Sequence, residues 1–314
     1  MYLLLVFLIP PILFNLTGLI DTFLVTKFGE EKSNGTLESG IGTLMIIGGT
    51  VAGLVALGLL PFVYQDIFAI KRQPLCYLLA GGVAYGIGAY PYFKALEKEQ
   101  IENIYPIYQT VPLFAYIIGF LLLGEIIPLR QIAAIIGIIL VTALFYVDFK
   151  HFTFNKKAVF LCLTSVILYA SSFVFFKKGG LAENNLGVSF FWEHIGVLLT
   201  GLRFFSKSSI RKTTIKYFKQ AGRKFSILNI FNEMFFISGI ILQNYISLHY
   251  LIVYMSVITN GGQVLLAFLM KYLAHRRNPK RYKRDYTRKS IIIKIVLAII
   301  VLIGLFYISR FIGG

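Results

Sequence analysis

An all-α, polytopic membrane fold of ten transmembrane helices is what the sequence predicts, and three observations carry it. Apolar runs of about 20 residues recur from end to end, each long enough to cross a hydrocarbon core of roughly 30 Å. Charge is sparse: 14% of the 314 residues are Asp, Glu, Lys or Arg, against about 25% in ordinary soluble domains, and mean hydropathy is +0.75. The charge that exists is lopsided, +17 net, and gathers in the links between the apolar runs.

The runs fall at 2–25, 41–63, 74–96, 103–124, 130–148, 156–177, 186–205, 226–248, 250–273 and 290–309. The first, opening MYLLLVFLIPPILFN, has no basic leader and no small-residue cleavage site, so it reads as a retained helix and not a signal peptide. Most links are short. Three are longer: KFGEEKSNGTLESG (27–40) is polar and turn-rich, SKSSIRKTTIKYFKQAGRK (206–224) is basic, and HRRNPKRYKRDYTRK (275–289) is more basic still. In 206–224, Ile210, Tyr217, Phe218 and Ala221 recur at helical spacing with Arg211, Lys212, Lys216, Lys219 and Arg223 on the other side. That is the pattern of a helix lying among anionic headgroups, a flexible basic loop being the other reading. No soluble domain is visible. A pI of 9.8 follows from positive-inside bias without a nucleic-acid partner. Cys76 and Cys162 lie in apolar runs, outside any CxxC or metal spacing, and read as small hydrophobes. No metal, cofactor or catalytic residue is expected.

Ten runs split as five and five. An odd number of crossings per half inverts the second half relative to the first, which divides the chain into 1–150 and 151–314. Run five ends ALFYV (143–147) and run ten GLFYI (304–308); run four lies over run nine by layout. Inverted repeats place a solute site near the bilayer midplane at the repeat interface. Pro10, Pro11, Pro91, Pro106 and Pro112 sit within or at the ends of runs, where each removes a backbone donor. The pairs Gly49/Gly53 and Gly82/Gly86 have the small-xxx-small spacing of closely crossing helices.

Over runs three to five, YFKAL (92–96), then Pro106, Gln109 and Pro112, then GFLLLGE with Gly119, Gly124 and Glu125, then Gln131 and Gly137 resemble the drug/metabolite transporter superfamily in its EamA-type branch. The resemblance implies ten helices as two inverted five-helix repeats and a small-molecule substrate, exported or imported. The second half matches by layout alone: residues 255–274 lack the paired prolines, and AHRR stands where Gly-Glu would be.

The polar residues inside apolar runs are the candidate site. A charged side chain at a helix centre costs about 2.5–3.5 kcal/mol on insertion scales, so it faces the bundle interior or a wet cavity. Glu193 and His194 interrupt run seven, and Asn229, Asn232, Glu233, Phe236, Ile240, Gln243 and Asn244 form one face of run eight. Glu193 and Glu233 are candidate proton carriers, because a carboxylate in low dielectric takes up a proton readily; a purely interhelical hydrogen-bonding role is the alternative. In the first half the candidates are Asn15, Asp21, Tyr90 and Gln109. Tyr90 and Tyr92 also suit an interfacial aromatic belt, and Lys94 suits snorkelling. In run nine, Asn260 and Gln263 flank Gly261 and Gly262, which fits either a locally broken helix or a close helix crossing. Glu125 reads as a helix-end residue at the membrane surface.

All but six of the 31 Lys and Arg lie in or beside the links on one side; Lys71, Arg72, Arg130, Lys177, Lys178 and Arg310 are the exceptions. Positive-inside bias then puts both termini outside the cytoplasmic membrane, opposite to the arrangement the resemblance implies. The function read from these features is secondary transport of a small metabolite by alternating access, coupled to protons through a buried carboxyl, by a monomer or homodimer. A lipid-modifying membrane enzyme and a non-transporting scaffold are the alternatives. Scattered acids without HExxH or an Asp-rich motif count against the enzyme.

Overall fold

The structure, a computed structural model, describes residues 2–30, 37–99, 101–145, 155–220, 222–277 and 288–310. Among them there is no strand. The elements are α1 (Tyr2–Glu30), α2 (Leu37–Val63), α3 (Arg72–Leu96), α4 (Ile101–Tyr108), α5 (Val111–Leu123), α6 (Leu129–Leu144), α7 (Lys156–Glu183), α8 (Leu186–Phe205), α9 (Ser208–Gln220), α10 (Gly222–His249), α11 (Ile252–Arg277) and α12 (Arg288–Ser309). Six segments are long and apolar enough to cross a membrane, and Phe7–Asp21 and Leu129–Leu144 are shorter apolar helices. Among the described residues, each of the ten predicted runs lies largely on helix. The readings of 31–36 and 278–287, and the end of ALFYV, lie outside the described residues.

Two helix starts are fixed by asparagine caps that satisfy backbone amides left free at a helix N-terminus. Asn155 accepts from the Lys157 and Ala158 amides at the start of α7, and Asn185 from the Val188 amide at the start of α8. Asn185 also donates to Asp66 Oδ2 at 3.1 Å, which pins the 64–71 turn. Outward faces are apolar well beyond what water tolerates: Phe62 and Phe68 are each 84% exposed, Leu121 and Phe160 about as bare, and α12 turns Leu302, Ile303 and Phe306 outward. These faces meet lipid, and the chain is an integral, multi-pass membrane protein.

α8 sits against α2 and α3 at backbone-contact distance. A Cβ on Gly49 would come within 2.6 Å of Gly201 Cα, one on Gly196 within 2.5 Å of Leu79 O, and one on Gly82 would strike the Glu193 carbonyl. Gly49 and Gly82 are therefore required by helix packing. α9 is a helix, not a flexible loop: it buries Ile210 beside Gly42 and bonds Thr214 Oγ1 to Thr43 Oγ1 at 3.0 Å, while Arg211, Lys212, Lys216 and Lys219 stay exposed. The side chains of Tyr217, Phe218, Ala221 and Arg223 lie outside the described residues.

Run four is two helices. Pro112 has no N–H to give to Tyr108 O four residues back, and the chain turns at Gln109–Thr110 between α4 and α5. Asn260 Nδ2 on α11 donates to the freed Tyr108 carbonyl at 3.4 Å. The locally broken helix thus lies in run four and not in run nine: α11 runs unbroken from Ile252 to Arg277, with Gly262 against Pro11 of α1 and Gly261 against Leu305 of α12. Its glycines serve crossings.

Candidate functional site

α1, α2, α3, α4, α7, α8, α10 and α11 surround a cavity of about 170 Å³. Seven of the sequence-predicted residues line it: Asp21, Glu193, His194, Asn232, Glu233, Asn260 and Gln263. They come from four helices and span 242 positions of chain, from Asp21 to Gln263. The other four candidates lie outside the lining. Asn244 is behind it, donating to Glu193 Oε1 at 2.7 Å. Asn15 ties α1 to α11, donating to Pro11 O at 2.8 Å and Gln263 O at 3.0 Å. Gln109 is buried in the α4–α5 turn. Tyr90 packs on Phe204, with Lys94 5.8 Å from its ring centroid; Lys94 in turn reaches Glu97 at 3.9 Å.

α10 organises the polar wall. Asn232 donates to Asp21 Oδ1 at 2.8 Å and Asn244 to Glu193 Oε1, two acid–amide pairs about 18 Å apart along the helix axis at 1.5 Å per residue. A carboxylate only accepts, so each amide must turn its nitrogen to the acid and its oxygen elsewhere. Between the pairs, Glu233 lies against α2, where Gly48 leaves space: a Cβ there would be 3.2 Å from Glu233 Oε2. On α8, His194 Nδ1 is 2.7 Å from Phe190 O. A carbonyl accepts only, so Nδ1 carries hydrogen, and the neutral ring offers Nε2 as an acceptor.

Hydrogen-bonding capacity in this wall is incompletely used. Among the described residues, Glu193 Oε2, Asn232 Oδ1, Gln243 Oε1, Asn244 Oδ1 and both side-chain polar atoms of Asn229 are buried without a protein partner. Buried polar groups in native proteins are nearly always bonded.

Tyr85 and Tyr169 are the part of the site that sequence reading missed. Tyr85 and Tyr169 line the cavity with Tyr92, Tyr105 and Tyr108. Tyr85 meets Tyr169 at 5.3 Å between centroids and Phe236 at 5.6 Å, and Phe236 meets Phe14 at 5.6 Å. This makes a continuous aromatic surface across α7, α3, α10 and α1. Tyr108 Oη donates to Ser165 Oγ at 2.5 Å, and Ser165 to Gly88 O at 2.7 Å. Tyrosine within an apolar run resembles a belt aromatic, and only its helical phase relative to Glu193 and Asn232 could have flagged it.

A second polar cluster lies at the opposite end of α5. Gly124, at φ +68°, turns the chain in the left-handed region, where glycine carries no Cβ penalty. Glu125 folds back into space left by Gly119, where a Cβ would be 3.3 Å from its Oε2. It is 7% exposed, packed inside the protein at the helix end, where Oε2 accepts from the Ile252 amide at 3.1 Å at the start of α11. Lys177 Nζ donates to Glu125 Oε1 and to Tyr250 O, both at 2.6 Å. Lys177 is thus a buried clamp residue. Nearby, Tyr254 donates to Gln131 Oε1 across α11 and α6.

Residues 36–147 match the model of the EamA-like transporter family, a little over a third of the chain. Fourteen solved chains match the structure. One, a crystal structure described only as that of a protein, has TM-score 0.54 and 12% identity over 98% of this chain and 99% of its own; the likeness is one of fold. No curated protein matches the sequence.

Proposed function

We propose that this EamA-like membrane protein is a secondary transporter that moves a small metabolite by alternating access between two inverted repeats, 1–150 and 151–314, with a cavity carboxyl carrying a coupling proton. The observation that carries it is the cavity lined from both halves of the chain, with acids and unbonded amide oxygens in its wall. The repeat reading exchanges α1 with α7, α2 with α8, α3 with α10, the broken α4–α5 with α11, and α6 with α12. Helix pairing supports it. α3 packs on α7 as α1 does on α10, and α7 packs on α4 and α5 as α1 does on α11; α2–α8, α5–α11 and α6–α12 are the self-mated pairs. α9 is left outside the ten crossings.

The lining residues Asp21, Leu44, Tyr92, Tyr105, Thr200 and Asn232 lie toward the helix ends that carry the basic links, which favours access from that side. The Glu125–Lys177 clamp closes the other end, where α5 stops and α11 starts. Positive-inside bias places the basic links in the cytoplasm, the termini across the cytoplasmic membrane, and α9 among anionic headgroups. The groups facing the coupling carboxyls are Asp21 on α1, Tyr85 and Tyr92 on α3, Tyr105 and Tyr108 on α4, Tyr169 on α7, His194 on α8 and Asn232 on α10.

The test is flux in proteoliposomes. Vesicles containing the protein are given a defined mixture of amino acids, amines, sugars and nucleosides under a pH gradient, and uptake is read by mass spectrometry. At least one solute accumulates, and Glu193→Gln or Glu233→Gln lowers its rate tenfold or more and flattens its pH dependence. If both variants move solute at the unmodified rate and pH dependence, the carboxyls carry no proton. If no solute moves, the scaffold reading replaces this one.

A further inference from the structure

The charge on the cavity wall has one sign. Asp21, Glu193 and Glu233 line it, and no Lys or Arg does among the described lining residues. Lys94 and Lys177, buried or half-buried on α3 and α7, are engaged elsewhere, Lys94 with Glu97 and Lys177 with Glu125. A buried carboxylate needs a counter-charge or a donor to remain ionised out of water, and within this wall the donors are amides that satisfy only one oxygen each of Asp21 and Glu193.

The unbonded atoms point the same way. On lining residues, the buried atoms without partners include the acceptors Glu193 Oε2, Asn232 Oδ1 and Gln243 Oε1, against one hydroxyl, that of Tyr85. Glu193 is 2% exposed, Asn232 1% and Gln243 3%. The first two cannot be relabelled as donors: Glu193 has none when ionised, and the Asn232 nitrogen is committed to Asp21. A molecule that complements this wall brings N–H groups and positive charge. Much of the rest of the wall is aromatic, with Tyr85, Tyr169, Phe14 and Phe236 in edge or tilted contact, and π faces attract cations most strongly when desolvated.

From the all-acidic lining, the surplus of buried acceptors and the aromatic wall, we infer that the solute is a small organic ammonium ion bearing at least one N–H, held at Glu193 with Asn232, Gln243 and the tyrosines around it. This rests on the reading of the cavity as a solute path and names the class of solute that takes it. Carboxylates and phosphates meet three acids there and no cation.

Purified full-length protein in detergent is titrated calorimetrically with n-butylammonium, 2-phenylethylammonium, 2-phenylethanol and 3-phenylpropanoate, which separate charge from shape. An ammonium probe binds with Kd at least tenfold below the alcohol and the acid, and Glu193→Gln raises that Kd tenfold or more. Glu233→Gln, a half-buried position, raises it less and serves where the Glu193 variant does not stay monodisperse. The charge preference is read on the unmodified protein and needs no variant. No binding of either ammonium, equal Kd for the charged and neutral probes, or an ammonium Kd unchanged in both variants overturns the inference. The flux assay separates the two readings. Movement of an anion or neutral solute, with no ammonium bound, leaves a transporter of another solute class. An ammonium bound while no solute crosses leaves the cation site and removes the transporter.

Discussion

Two buried polar clusters in this molecule are built from the same kinds of residue and are unlike in how fully they are satisfied. At the Glu125–Lys177 clamp both carboxylate oxygens are bonded, to Lys177 and the Ile252 amide, and Lys177 also reaches Tyr250 O. In the cavity, Glu193 has one oxygen bonded and one bare, and its neighbours on α10 show unbonded oxygens. A saturated cluster joins α5, α7 and α11, whereas an unsaturated one has capacity left for a solute. Burial and charge alone would not separate them; the count of unmet hydrogen bonds does.

The largest break in that comparison comes from removing one partner of the saturated pair. Lys177→Met leaves Glu125 buried without its cation and lowers stability by about 3–5 kcal/mol. This is read as a fall in the melting temperature of the detergent-solubilised protein, and adding Glu125→Gln to it restores most of the loss. Next is Gly82→Val, whose side chain meets the Glu193 backbone and costs roughly 1–3 kcal/mol through overpacking, with transport falling because α8 is displaced. Asn260→Ala withdraws the donor from the Tyr108 carbonyl and costs about 1–3 kcal/mol, the range for a buried acceptor left unmade. The smallest effect sharpens the contrast. Glu193→Gln keeps an acceptor for Asn244 and adds N–H at a position with no protein partner, so it changes stability by less than about 1 kcal/mol while removing solute binding. A loss of stability as large as that of Lys177→Met would mean that Glu193 is a clamp residue too.

Much of this was legible in the sequence, for reasons that also mark where it stopped. Helix positions follow from runs of apolar residues, a local property, and the described residues of each predicted run lie largely on helix. The glycine crossings followed from spacing. The polar stripe of α10 was visible as a phase on one helix, but its pairing of Asn232 with Asp21 and of Asn244 with Glu193 depends on helix rotations that local pattern does not encode. Lys177 looked like a loop cation because it follows an apolar run, yet α7 continues to Glu183 and carries it inside. Run four looked continuous because Pro112 follows Gln109 closely enough to pass for an ordinary kink; the break is held by Asn260, 151 positions from Gln109. Gln109 itself drew attention for its prolines and proved part of the turn they make.

The glycine seam has a consequence for how the cavity can be reshaped. Where Gly49 meets Gly201 and Gly82 meets Gly196, main chain rests on main chain, so α8 has no side chain to repack at those two crossings and is held from settling inward when the opposite wall is trimmed. Shaving Phe236 or Ile240 therefore enlarges the chamber by about the volume removed, and under the proposed function the α10 face sets which solute size fits while the scaffold behind α8 stays still.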